Sequence, residues 1–196
     1  MDARQRLIET TRELLHERGY VGTSPRAVQE RAGVGQGSMY HHFAGKADLA
    51  RTALERTAAL ERERAEALLG DASVPPADRV VAYLRRERDA LRGCPVGRHT
   101  QDPDVLADDG LRSPVEQTFA WLRQRIAGLL AQAQQEGSLR AEADPAAVAA
   151  AVAAVVQGGY VLARAAASPE PAAAAADGAV AMLEALRTPP RAPHRA

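Results

Sequence analysis

Cysteine is nearly absent: Cys94 stands alone in 196 residues, so the chain can close no internal disulfide and offers no cysteine metal cluster. A reducing, cytoplasmic setting is expected. Charge of one sign is also lacking, because 25 Lys and Arg residues balance 25 Asp and Glu residues. That balance excludes a polyanion-coating protein, which needs a strong positive field. Lys46 is the one lysine beside 24 arginines. The first fifteen residues are charged at Asp2, Arg4, Arg6, Glu9, Arg12 and Glu13, which leaves no apolar stretch for a secretory signal. Long runs of strongly apolar residues are missing too. The stretch 146–163 carries no charge, but it is mostly alanine and is interrupted by Gln157, Gly158 and Gly159, so no membrane span is expected. Nothing points to a cofactor or a metal.

What is present is helical periodicity. Leu7, Ile8, Thr11, Leu14 and Leu15 recur at spacings of three and four, which places them on one helical face ending near Gly19. Ser24-Pro25 reads as an N-cap followed by proline in the first turn of a short helix reaching Ala32. Gly33-Val34-Gly35 breaks it, and Gln36 to Phe43 resumes helical character before Gly45. Lys46 opens a longer helix that runs through the charged stretch 55–66 to a loop at 70–76. Further helices are predicted over 77–92, along the stripe Val115, Phe119, Leu122, Ile126, Leu129 and Ala133, over 145–167 and over 171–187, with a loop at 93–104. No segment alternates with period two. The fold class is therefore all-α, with an N-terminal helix-turn-helix domain over 1–50, a second helical domain over 51–187, and a proline-rich disordered tail over 188–196.

Two short helices around a glycine turn are a weak signal alone. The string Thr23-Ser24-Pro25-Arg26-Ala27-Val28, then Ala32-Gly33-Val34-Gly35-Gln36-Gly37-Ser38-Met39-Tyr40-His41-His42-Phe43, then Lys46-Ala47-Asp48-Leu49, is far more specific. It closely resembles the DNA-binding domain of the TetR family of bacterial transcriptional regulators over about residues 7 to 54. The spacing sends Val28, Ala32, Val34, Met39 and Phe43 inward and Arg26, Gln36, Gly37, Ser38, Tyr40 and His41 outward. Arginine and glutamine can read guanine and adenine edges, and Ser24, Ser38, Tyr40 and Lys46 can donate to phosphates. Gly37 leaves the backbone open to a base or phosphate. The resemblance implies that residues 36–42 form the recognition helix, that Arg26, Gln36 and His41 reach bases, and that Ser24, Tyr40 and Lys46 hold phosphates. His42 reads instead as an internal hydrogen-bonding residue. Gln29 and Gln36 depart from the residues usual in the family and leave operator preference open. Between Thr23 and Lys46 the charges are Arg26, Arg31 and Lys46 against Glu30, a modest positive footprint.

The resemblance further implies a homodimer on a palindromic operator, a repressor, and a small-molecule effector held by the C-terminal region. The last two helices, with Gly158 and Gly159, are expected to approach closely and to form a four-helix interface between two copies. Polar or aromatic residues on apolar faces are the ligand candidates: Tyr83, Trp121, Gln157 and Tyr160. Cys94 joins them, because Gly93-Cys94-Pro95-Val96-Gly97-Arg98-His99 resembles a glycine-cysteine turn in one branch of the family, where Arg92, Arg98 and His99 would favour a thiolate. An alternative is therefore a thiol-based sensor of oxidants or electrophiles using Cys94. A remote one is an enzyme with Cys94 as nucleophile and His99 as base. No catalytic constellation or phosphate loop accompanies that pair, so no enzymatic activity is expected.

Overall fold

The computed structural model describes residues 1–188. Its helices are α1 (Ala3–Arg18), α2 (Pro25–Ala32), α3 (Gln36–His42), α4 (Lys46–Leu69), α5 (Pro76–Arg85), α6 (Pro103–Ala107), α7 (Asp109–Gln135), α8 (Pro145–Ala166) and α9 (Glu170–Ala185), with a 3-10 helix at Gly97–Gln101. No strand occurs among the described residues; Leu139 and Arg187 form an isolated antiparallel bridge. Apart from Thr188, the tail expected to be disordered lies outside the described residues. The chain divides into two compact units, one of residues 1–63 and 92–120, the other of residues 64–91 and 121 onward.

In the first unit, α1 is capped by Asp2, whose carboxylate accepts the Gln5 amide at 2.7 Å. Its apolar stripe serves two clusters. Leu7, Ile8 and Leu14 pack with Val28, Ala32, Val34, Met39, Phe43 and Leu49, which fastens α2 and α3 to α1 and the start of α4. Leu15 turns to Ala50, Ala53, Leu54, Val105 and Leu111. Fully burying a side chain such as Leu7 or Met39 is worth roughly 1.5–3 kcal/mol. The stretch 93–104, read as loop in the sequence, contains the 3-10 helix and the start of α6. Asp102 organises them: it caps α6 through the Asp104 amide at 3.2 Å and accepts the Tyr20 and Val21 amides at 2.8 and 3.2 Å. The turn after α1 is thereby tied to this segment by a single carboxylate.

In the second unit α5 ends at Arg85, seven residues before the expected end at Arg92. Arg86 is extended (ψ 142°), and Arg88 folds back to donate to the carbonyls of Tyr83, Leu84 and Arg86 at 2.6, 2.8 and 2.9 Å. A side chain three residues beyond its end thus caps a helix whose apolar and polar pattern would continue. Glu66 receives a bidentate contact from Arg125 (3.0 Å from Nε, 2.8 Å from Nη2), and Arg125 also donates to the Leu69 carbonyl at 3.1 Å, closing the end of α4. Arg187 pairs with Asp78 and Glu184. α8 and α9 pack along Ala149, Val152, Val156, Tyr160 and Ala163 on one side and Ala179, Val180 and Leu183 on the other. A Cβ added at Gly159 would lie 3.4 Å from the Ala172 Cα, in ordinary contact, while one at Gly158 would meet nothing within 4 Å. Close approach therefore involves Gly159 and not Gly158. α8 is long and apolar enough to cross a membrane by length and composition, with a mean hydropathy of 1.9, yet it buries a face against its neighbours.

Two helices end on left-handed residues. Gly33 (φ 62°) closes α2, with the Val34 amide reaching Gln29 O, and Ala167 (φ 49°) closes α8, with the Ser168 amide reaching Ala163 O. A Cβ in this region costs roughly 1–2 kcal/mol. We expect Gly33→Ala to lose about 1 kcal/mol and Ala167→Gly to gain up to about 1 kcal/mol, read as opposite shifts of the urea midpoint at constant slope. Equal shifts of one sign would contradict this reading of the caps.

Candidate functional site

The local chemistry of α2 and α3 sets the outward face. Ser24 Oγ accepts the Ala27 amide at 3.1 Å, which caps α2 and leaves its O–H as a donor. Gly33 supplies the turn, and Met39, Phe43, Val34, Val28 and Ala32 are buried as the spacing predicts. Arg26, Gln36, Gly37, Tyr40 and His41 are left exposed beside exposed Ser24, and Ser38 and Lys46 are half-buried. Tyr40 is 51% exposed, unusual for so large an apolar ring. Gly35 and Gly37 border open space, with nothing within 4 Å of an added Cβ.

Both cations of this set have partners in the protein. Arg26 Nε lies 2.7 Å from Glu30 Oε1 on the same helix, both strongly exposed, so solvent screens the pair. The Lys46 ammonium sits 4.1 Å from the Tyr20 ring centroid. Tyr20 had no signal in the sequence, because its role as a platform depends on a contact 26 positions away. Gln29, the unusual residue of α2, donates to Met39 Sδ at 3.2 Å and so helps to hold α3 against α2. His42 makes no side-chain hydrogen bond among the described residues, contrary to expectation; its ring packs edge-on to His41 and Phe43, with centroids 5.0 and 6.4 Å away.

The ligand candidates are not brought together. A cleft in the second unit, with about 290 Å³ of empty space partly open to solvent, is lined by Leu84, Arg88, Val155, Val156, Gly159 and Tyr160, with alanines completing the wall. Of the residues singled out from sequence, Tyr160 lines it. Tyr83 is buried close by, its ring 5.2 and 5.0 Å from the guanidinium carbons of Arg86 and Arg88. Gln157 and Trp121 are half-buried and do not line the cleft. Cys94 belongs to the first unit, where its Sγ accepts the Gly97 amide at 3.1 Å. Arg88, which does line the cleft, went unnoticed because it falls in the stretch read as helix.

Two of the three groups expected to favour a Cys94 thiolate are paired or uncharged. Arg92 pairs with Glu13. Burial first, then Arg98 and His16, lowers the pKa of His99 to about 4, so its ring is neutral at pH 7. The ring's hydrogen bond goes to the Pro95 carbonyl, and its Nδ1 is buried without a partner. His99 therefore does not form the base-to-thiol hydrogen bond that a nucleophilic cysteine needs. His16, at 3.0 Å from Gly93 O, is also held below its ordinary value, chiefly by burial.

The profile of bacterial regulatory proteins of the tetR family matches residues 7–53, and that of the tetracyclin repressor-like C-terminal domain matches residues 76–179. This chain belongs to the TetR family. It is 31% identical over 153 residues to the transcriptional regulator AcuR of Cereibacter sphaeroides, covering 75% of this chain and 69% of AcuR. With the transcriptional repressor DhaR of a Mycobacterium species the identity is 28%, covering 72% of each chain. A crystal structure of regulatory protein TetR from Rhodobacter sphaeroides superposes with a TM-score of 0.80 at 28% identity, over 95% of this chain and 99% of that one. The TetR-family fold and the role of DNA-binding transcriptional regulator are thus shared with these relatives, and thiol sensing by Cys94 is not favoured.

The buried neutral His99 makes the first unit sensitive to acid. Between its folded pKa of about 4 and the unfolded value of about 6.5, only the unfolded chain takes up the proton, so stability falls as pH drops through that window and levels off below it. The full loss is about 3 kcal/mol at 1.36 kcal/mol per pH unit. We expect His99→Asn to flatten the dependence of the urea midpoint between pH 7 and pH 5; an unchanged slope would show that His99 does not carry it.

Proposed function

We propose that the chain is a ligand-responsive repressor that binds a palindromic operator as a homodimer in the cytoplasm. The observation that carries this reading is the outward set on α2 and α3, in which Tyr40 is exposed beside Gln36, Gly37 and His41 while their neighbours are buried. In this reading Arg26, Gln36 and His41 face base edges, and Ser24, Ser38, Tyr40 and Lys46 take phosphates. Arg26 would exchange Glu30 for DNA. The DNA-reading domain spans residues 1–50 and the effector and dimerisation domain residues 51–187. Similarity to a protein named as a repressor supports the direction of regulation.

Dimerisation is assigned to α8 and α9, where Val161, Leu162 and Met182 are 67%, 53% and 65% exposed among alanines. An uncovered apolar face of this kind fits a second copy. Two heads reading successive major grooves must sit about 34 to 36 Å apart or a multiple of it. An effector that prefers another spacing would weaken operator binding by its differential affinity for the two states. Catalysis is not part of this reading.

The test is selection of bound fragments from random duplex DNA, followed by titration of the best fragment. We expect a palindromic motif, a loss of about tenfold or more for Tyr40→Ala at one lost phosphate contact plus its packing, and weaker binding as salt rises. Gly37→Ala should leave the free protein as stable or slightly more so, since a helical glycine costs roughly 0.5–1 kcal/mol, and yet weaken the complex. Met182→Glu should shift sedimentation from dimer toward monomer. Absence of an enriched motif, or indifference to Tyr40→Ala, would overturn the proposal.

A further inference from the structure

The cleft of the second unit has one charged side chain in its wall, Arg88, and no acidic one. The rest of the lining is Leu84, Val155, Val156, Tyr160, Gly159 and alanines. A guanidinium has five N–H donors. In Arg88 three are spent on main-chain carbonyls at the end of α5, two from Nη1 to Leu84 O and Arg86 O and one from Nη2 to Tyr83 O. Two have no main-chain partner, one on Nε and one on Nη2, and the Tyr83 side chain also hydrogen-bonds the guanidinium. Nε is buried and has no hydrogen-bond partner. No carboxylate lies within ion-pair distance of Arg88 among the described residues. The formal charges that bear on it are its like-charged neighbour Arg86 and no acid, and burial, followed by Arg86, holds its pKa below the ordinary value. Leaving a charged donor buried without an anion is costly, and a chain seldom keeps one without use.

Capping α5 explains the carbonyl contacts and nothing more. A cap needs donors directed at the helix end, and these are supplied by Nη1 and Nη2. It gives no reason for the remaining pair to be enclosed beside an apolar cleft, with no glutamate or aspartate to meet it. Donors on adjacent nitrogens form the fork that grips a carboxylate with two parallel hydrogen bonds.

We propose that Arg88 anchors the carboxylate of a small, otherwise apolar acid whose hydrocarbon part lies against Leu84, Val155, Val156 and Tyr160. This deepens the regulatory reading and rests on it for the consequence of binding, though not for the binding itself. The acid enters as the anion, the Nε and Nη2 donors of Arg88 replace its water, and its chain displaces solvent from the apolar wall. Leu84 of α5 and Val155, Val156 and Tyr160 of α8 share that wall, so an occupant touches both helices.

The test uses the full chain and a panel of straight, branched and aromatic carboxylic acids of three to eight carbons, each beside its primary amide, titrated by calorimetry at pH 7. At least one acid, with hexanoate as the first probe, is expected to bind tenfold or more tightly than its amide. Arg88→Met should erase that preference, and Arg88→Lys should keep part of it. Because Arg88→Met also removes a helix cap, Ala176→Phe serves as a second variant: it fills the cleft and should abolish binding of acid and amide alike while leaving Arg88 in place. A residue that is only a cap would lower stability in Arg88→Met without changing the ratio of acid to amide affinity, and that result overturns the proposal. So does a panel in which no acid surpasses its amide. Release of the selected duplex, followed by fluorescence anisotropy, separates the two readings. Arg88-dependent acid binding that leaves the duplex bound upholds the anion site and defeats ligand-responsive repression. Release by neutral or cationic compounds, with no acid bound, does the reverse.

Discussion

The first unit depends on α1 burying both edges of one apolar stripe. Leu7, Ile8 and Leu14 hold α2 and α3, while Leu15, one position from Leu14, already belongs to the cluster with Ala53, Leu54, Val105 and Leu111. α4 is shared in the same way, with Leu49 in the first cluster and Ala50 in the second. Neither cluster can be rebuilt independently of the other, because adjacent residues on a rigid helix commit to both. α3 has only seven residues, too few to persist alone in water. Its conformation is a property of the surface on which Met39 and Phe43 rest.

Electrostatics are used sparingly and locally. The net charge of the whole chain is zero. Several arginines are matched to carboxylates at close range, as in Arg31 with Glu17, Arg125 with Glu66 and Arg51 with Asp48. Such exposed pairs add little stability, about 0–1 kcal/mol each. Their effect is local, each neutralising one surface guanidinium. Asp102 works differently, by neutralising main-chain amides of Tyr20 and Val21 rather than a cation.

The helix-turn-helix was legible because everything that defines it is local: the Ser24 cap, Pro25, the left-handed Gly33 and the apolar spacing through Phe43. The early end of α5 was not, since residues 77–92 carry no breaker and the helix is stopped by the side chain of Arg88 reaching back. The short helices within 97–107 were not legible for a related reason, as five residues give no period to read and Asp102 ends one and caps the start of the other. Tyr160 was legible as an aromatic on an apolar helical face, whereas Arg88 reaches the cleft from beyond the end of α5. Lys46 was recognised by its place in the motif, whereas its seat on Tyr20 required the fold.

The uncovered ridge of Val161, Leu162 and Met182 also bears on how much functional protein a cell contains. In a dimer that covers it, folding of the second unit is linked to association by mass action, so stability rises with protomer concentration. Dilution then removes the partner surface as well as the second DNA-reading head. A regulator built in this way loses operator occupancy more steeply than in proportion to its copy number, and its gene is read out against a threshold set by synthesis and dilution.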